Sequence, residues 1–471
     1  MKRQRKIRLD NIYRVMLYVL PGILCFSYYP IIRFGASESM NFELSLPLIW
    51  LVFFDIVALV LMLQKRKFFC KKNKKWLWLL FPIFVTISVL WSLNFVRGVL
   101  TAGILWLIYF AGYAMWQLRS TLTDAGFRKV FWKVFFGSYL VVCTWCLIQC
   151  AMDLAGVSRE ISLLCEGCTY KMFGFPHPNG FAIEPQFMGN LLIAPAVVAG
   201  WLMINDIESK QKWKHALLYL VFSIGIFLTF SRGAIYAFAV AMIFLTTFEA
   251  VRQKSWKVCR TFVVAIVAFL FTLNMQGVMA QLSPTNDTYI SGVAKVLNHL
   301  SLGIIDIRSN EHGNIAPAEE KKTAVTEEPE TKEAVFDGYV VESTETRVKL
   351  SDAAVKVWKN NFGNMMIGVG LGGAGQALYV NSLSSSPKEI VQNEYASLLV
   401  EIGLVGIALF VLTVVLIIRV MLRNEVTSML ITLVVAYSIT LLFFAGLPNA
   451  LHIYLLPALF ITLYGRNSYR K

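Results

Sequence analysis

His215–Ala250 reads HALLYLVFSIGIFLTFSRGAIYAFAVAMIFLTTFEA, and Arg232 is the only charge between His215 and Glu249. An arginine near the centre of a bilayer costs about 2.5–3.5 kcal/mol on insertion scales, and less near the surface. The stretch is also too long for one span, which takes ~20 residues, and Ser231-Arg232-Gly233 falls near its middle. The reading is two helices joined by a short turn at Thr229–Ala234, with Arg232 held at one membrane face to meet an anion.

The remainder of the chain extends that reading. Of 471 residues, 57% are hydrophobic and 15% charged, the composition of an all-α polytopic membrane protein rather than a soluble domain. About twelve transmembrane helices are expected, each of ~17–25 residues. They lie near 11–32, 45–63, 76–95, 98–118, 132–152, 186–203, 214–230, 234–250, 259–277, 395–418, 425–445 and 447–465. Continuous apolar runs exclude a β-barrel, whose strands alternate. Lys2–Arg8 leads into an apolar run without a small-residue cleavage site, so no cleaved signal is expected.

The net charge of +15 does not point to nucleic acid. Basic residues gather in short loops, above all Gln64–Lys75 with Lys65, Arg66, Lys67, Lys71, Lys72, Lys74 and Lys75, as the positive-inside rule requires. Both termini are then cytoplasmic, and 153–185, 278–394 and Arg232 face outward. Three regions follow: 1–277 with spans one to nine, a large outer loop at 278–394, and 395–471 with spans ten to twelve. Within the loop, 308–334 is polar and acidic and reads as a disordered insertion. An amphipathic helix is expected near 346–360, with Leu350, Ala354, Val355 and Trp358 at helical spacing and a face able to lie on the membrane.

Candidate chemistry lies in the outward segments. Lys171–Gln186 is too rich in Gly and Pro for a regular helix and sets His177, Asn179 and Glu184 beside the next span. These groups either line a site or satisfy one another, and Glu184 could instead cap the following helix. Gly368-Val-Gly370-Leu-Gly372-Gly373 lacks a βαβ context, so it reads as a tight turn bringing backbone close to substrate or another helix. Gln392-Asn393-Glu394 opens the tenth span, and Glu401 follows on the same helix face. Cys165 and Cys168 suggest a local disulfide or free thiols rather than zinc, there being no second ligand pair. Cys25, Cys143, Cys146 and Cys150 read as apolar packers. Asp55, mid-span, needs a partner or belongs to an ion path.

In three places the chain resembles the O-antigen ligase and O-antigen polymerase superfamily. These are Thr229-Phe-Ser-Arg-Gly-Ala; Arg347 through Trp358 to Gly368-Val-Gly-Leu-Gly; and Gln392-Asn-Glu-Tyr with Glu401-Ile-Gly-Leu-Val-Gly. The resemblance implies a GT-C type membrane glycosyltransferase acting on the outer face of the cytoplasmic (inner) membrane. Its donor and acceptor would be glycans on undecaprenyl diphosphate, with a chain-length-control protein as a possible further partner. Arg232 and Arg347 would bind the diphosphate, a guanidinium fork suiting phosphate oxygens. Ser231, Asn179 and Asn393 would contact substrate. Glu184 is the first candidate for the base, then Glu394 and His177. No cofactor is expected, and metal independence follows from the lack of an Asp-x-Asp or other ligand cluster. Family ligases place a histidine where this chain has Gln392, whereas Gly180-Phe-Ala-Ile-Glu184-Pro185 is similar to a polymerase element. A repeat-unit polymerase is therefore expected ahead of a ligase to lipid A core. A flippase or other transporter is the non-enzymatic alternative; Asp55 favours it, and the lack of a repeat between the two halves opposes it.

Overall fold

The computed structural model describes residues 2–37, 40–67, 75–122, 125–155, 178–206, 208–282, 288–301, 347–424, 426–446 and 450–464. His177, Cys165, Cys168 and the 308–334 insertion lie outside them. In chain order the elements are α1 (Lys2–Leu24), β1 (Pro30–Ser37), β2 (Met40–Ser45), α2 (Leu46–Gln64), α3 (Leu80–Ser88), α4 (Phe95–Gln117) and α5 (Ala125–Leu154). Then come α6 (Pro185–Asn205), α7 (Ser209–Leu228), α8 (Arg232–Gln253), α9 (Arg260–Leu282), α10 (Tyr289–Leu300) and α11 (347–359). The last five are α12 (Phe362–Ile367), α13 (Ala374–Val380), α14 (Glu394–Met421), α15 (Thr427–Thr440) and α16 (Leu451–Tyr464).

Among the described residues, seven helices are long and apolar enough to cross a membrane: Leu46–Gln64, Phe95–Gln117, Ala125–Met152, Pro185–Asn205, Arg232–Gln253, Trp256–Leu282 and Glu394–Met421. Three shorter apolar helices, Leu77–Trp91, Thr427–Thr440 and Leu451–Tyr464, accompany them. The fold is thus all-α and polytopic. α7 takes up most of the expected span at 214–230, whereas α1 covers only 11–24 of the one at 11–32, which ends in a turn and the start of β1. One departure is a small antiparallel hairpin between α1 and α2, with Pro30 paired to Ser45 and Phe34 to Phe42. Nothing in the hydropathy of 33–44 distinguishes it from a loop.

α6 is the most enclosed of the long helices, with Met188 through Gly200 buried without a break. Small residues make this possible, since apolar helices in lipid gain from close van der Waals approach. Gly225 of α7 leaves room for Leu192, and Gly200 does so for Met242 of α8 and Tyr219 of α7. Cys25, Cys143, Cys146 and Cys150 are buried among the helices and form no disulfide among the described residues. Asp55 is buried in α2, and neither carboxyl oxygen has a hydrogen-bond partner among the described residues.

The glycine-rich turn docks on another helix. α14 breaks at Gly403 (φ 60°, ψ −169°), which releases carbonyls that a continuous helix would bond four residues on. The N–H groups of Val369 and Gly370 take those of Val400 and Glu401, each at 2.9 Å. On its other side the turn meets the start of α4, where Ser92 Oγ donates to the Leu371 carbonyl at 2.7 Å. α11 packs over it through Leu350, Ala353, Ala354 and Val357, against Val369, Ala377, Leu378 and Val400. The apolar face of α11 is therefore covered by protein. Leu350 and Ala354 of the expected stripe lie on that face with Trp358 packed against it, while Ala353 and Val357 take the place expected of Val355.

Gly370 has φ +89°, and a Cβ there would come within 2.4 Å of the Ser92 Cα. Gly370→Ala should cost ~1–3 kcal/mol or more and lower the unfolding temperature in detergent. Gly103→Ala, at an α4 position with nothing within 4 Å, should leave it unchanged or raise it.

Candidate functional site

α7 ends at Leu228, and the turn the composition predicts is made by Thr229, Phe230 and Ser231. Thr229 Oγ1 donates back to the Ile226 carbonyl at 2.7 Å, and Ser231 caps α8 by accepting from the Ala234 N–H. Arg232 is half-buried at the first position of α8. The turn presses on α6, where a Cβ on Gly189 would lie 2.6 Å from the Ala234 Cβ and 2.9 Å from Thr229 Oγ1. Only a glycine lets the two helices approach this closely.

Arg347 opens α11 and joins two distant segments. Its Nε donates to Gln392 Oε1 at 2.7 Å, and its Nη2 donates to Gln186 Oε1 at 3.0 Å. Gln186 in turn donates through Nε2 to the Phe443 carbonyl at 3.0 Å. The ring of Phe443 lies against Gly233, with its Cγ 3.0 Å from where a Cβ would stand. A continuous path thus runs from Arg347 through Gln186 and Phe443 to the residue after Arg232. The two arginines that the sequence singles out belong to one end of one bundle.

Glu184 sits at the N-cap position of α6, but its side chain makes no capping hydrogen bond. It keeps an open side to solvent. The protein packed around it raises its carboxyl pKa above the ordinary range, and the nearby Arg347 guanidinium opposes that rise. This carboxylate is therefore close enough to Arg347 to feel its charge.

The other candidates among the described residues have defined structural work. Asn179 is fully buried; its Oδ1 accepts from Gln149 of α5 at 2.9 Å, and its Nδ2 donates to the Ala182 carbonyl. Asn393 caps α14 by accepting from the Ala396 N–H at 3.1 Å. Glu394 is buried, its Oε2 accepts from the Gly446 N–H at 2.7 Å, and its own N–H donates to the Leu441 carbonyl at 2.9 Å. Among the described residues, no group of three or more His, Cys, Asp or Glu could hold a metal ion.

Sequence reasoning did not single out Gln186, Gly189, Phe443 or α10. α10 was legible, since Tyr289, Val293, Val296, Leu297 and Leu300 follow a helical stripe. Phe443 was not, because an aromatic at the end of an apolar span carries no sign of its partner.

The Gly446 contact is testable. Glu394→Gln keeps a carbonyl oxygen and should preserve the unfolding temperature. Glu394→Ala leaves a buried N–H without its acceptor and should destabilise by ~1–3 kcal/mol, read by thermal unfolding in detergent.

A search of curated proteins finds no match to this chain. Residues 217–411, from α7 to α14, match the family described as O-Antigen ligase (Wzy_C). The matched stretch contains the Arg232 turn, α11 with Arg347, the glycine-rich turn and the start of α14. What the comparison shows is therefore a likeness of this stretch, less than half of the chain, to the O-Antigen ligase family.

Proposed function

We propose that this protein polymerises oligosaccharide repeat units carried on undecaprenyl diphosphate, at the outer face of the cytoplasmic membrane. The observation that carries the reading is Arg347, bonded to both Gln186 and Gln392 and acting on the charge of Glu184. It sets a cation for phosphate beside a carboxylate able to accept a proton, on the bundle end that holds Arg232.

In this reading Arg232 and Arg347 hold the donor diphosphate at the membrane surface. An acceptor sugar hydroxyl attacks the anomeric carbon, and Glu184 takes the hydroxyl proton as the new glycosidic bond forms. The anomeric carbon–oxygen bond to phosphate breaks, and undecaprenyl diphosphate leaves with the electron pair. The two guanidiniums stabilise the charge that develops on it. They supply the positive charge that a metal ion would otherwise supply, so no cofactor enters the scheme. Both termini are cytoplasmic, twelve helices span, the architecture is of the GT-C type, and a chain-length-control protein is a further partner. Nucleic acid has no part in this reaction.

A second reading is ligation of finished polysaccharide to lipid A core, favoured by the description of the matched family. Against it, Gln392 stands where the resembled ligases have a histidine. Its amide cannot take a proton, and its oxygen is engaged by Arg347.

Two experiments test the reading. In a strain lacking the protein, surface polysaccharide should run on a gel as single-repeat material. Wild type should restore the ladder, and Arg232→Ala at equal membrane abundance should not, its rate falling by about 10²–10³-fold. A wild-type ladder from Arg232→Ala would sink the claim. Unattached lipid-linked polymer in the deletion strain would make the protein a ligase, and single units trapped on the inner face would make it a flippase.

The second experiment is a pH profile. A base works only when deprotonated, so activity should fall as pH drops through the Glu184 pKa. That acidic limb should lie above the ordinary glutamate value of about 4.3. Arg347 lowers this pKa, so the residual activity of Arg347→Ala should show the limb at still higher pH. An unmoved limb would remove Glu184 from the role.

A further inference from the structure

Phe230, two residues before Arg232, has φ +46°. This left-handed conformation is unusual for a bulky side chain and persists only where the surroundings over-determine it. α10 supplies those surroundings. His299 places Nε2 at 3.0 Å from the Phe230 carbonyl. The Phe230 ring packs with Val296 and Leu300 of α10 and with Leu273 of α9. Tyr236, one turn into α8, donates its hydroxyl to the Leu300 carbonyl. α10 thus grips the turn from both sides of Arg232.

α10 is itself seated on α9. A Cβ on Gly277 would meet the Tyr289 ring, and one on Gly292 would meet the Ala280 Cβ at 2.5 Å. The turn is therefore referred to the helical bundle through α10, and not only through its own two helices.

The chemistry of the histidine bond is defined by its partner. A backbone carbonyl only accepts, so Nε2 is the protonated nitrogen. Burial, and then the charge of Arg232, lower the His299 pKa to about 4. The ring is neutral at physiological pH and adds no second cation beside the arginine.

We propose that His299 is a positioning residue for Arg232. By donating to the Phe230 carbonyl, it fixes the turn so that the guanidinium meets the diphosphate of a polyprenyl-linked substrate. The proposal rests on the reading of Arg232 as a diphosphate ligand. His299 acts through that arginine and not on the reacting atoms.

The test uses the full-length protein in nanodiscs with undecaprenyl diphosphate as the probe, and undecaprenyl monophosphate as the control. Wild type, Arg232→Ala, His299→Phe, His299→Gln and the double variant Arg232→Ala/His299→Phe are compared at matched monodispersity. His299→Phe lacks the donor and should weaken diphosphate binding about tenfold. His299→Gln offers an amide N–H near the same point and should restore most of it. In the Arg232→Ala background, His299→Phe should change nothing further, as expected of a residue acting through that arginine.

The outcomes separate the two claims. If Arg232→Ala binds the diphosphate as wild type does, the ligand reading fails and takes the proposal with it. If Arg232→Ala loses binding while His299→Phe does not, only the proposal is overturned. Additive losses in the double variant, or no rescue by glutamine, would make His299 a general structural residue and also overturn it. Should His299→Phe not yield folded protein, His299→Ala, which also lacks the donor, is used in the same cycle with the same outcomes.

Discussion

The six residues 441–446, which follow α15, hold the candidate site together. The Leu441 carbonyl takes the first N–H of α14, and the Phe443 carbonyl takes Gln186. The Phe443 ring covers Gly233, and the Gly446 N–H reaches Glu394. Four elements distant in sequence, α6, α8, α11 and α14, are thereby referred to one short piece of backbone, α11 through the Arg347–Gln186 bond. Backbone groups leaving a helix end must find partners wherever water is scarce. Here the partners they find are the Glu394 N–H and the Gln186 side chain, beside the candidate site.

This arrangement explains why so many candidate polar residues have structural bonds. A site at the edge of an apolar bundle cannot leave its polar groups unsatisfied, because each one costs free energy comparable to a lost hydrogen bond. Asn179, Ser231 and Asn393 close turns or cap helices, and Glu394 ties α14 to the link. Arg347 uses Nε and one terminal nitrogen on glutamine oxygens. Glutamine oxygens are neutral acceptors: they orient the guanidinium without neutralising it, and its charge reaches as far as Glu184.

The break in α14 follows a similar principle on a larger scale. A helix interrupted by Gly403 exposes carbonyls in a setting that does not tolerate them. The glycine-rich turn after α12 is shaped to meet those carbonyls, with Gly368, Gly370 and Gly372 all at positive φ. The two glycine motifs, one in a loop and one in a span, form a single interface. The glycine spacing in that loop serves helix packing.

Much of this architecture is legible in the amino-acid sequence alone. Apolar run lengths locate the helices, because a bilayer demands a fixed length and internally bonded backbone. The lone arginine marks the α7–α8 turn, because charge is costly among apolar side chains. Glycine spacing predicts close backbone approach, but not to which helix. What the sequence does not specify is convergence: that Arg347 meets Gln186 and Gln392, that Phe443 joins them to the Arg232 turn, or that α10 places His299 on Phe230. Local pattern determines which segments become helices and where they must stop. Which of their ends meet is decided by the packing of small residues across the whole bundle, and only the tertiary structure holds that information.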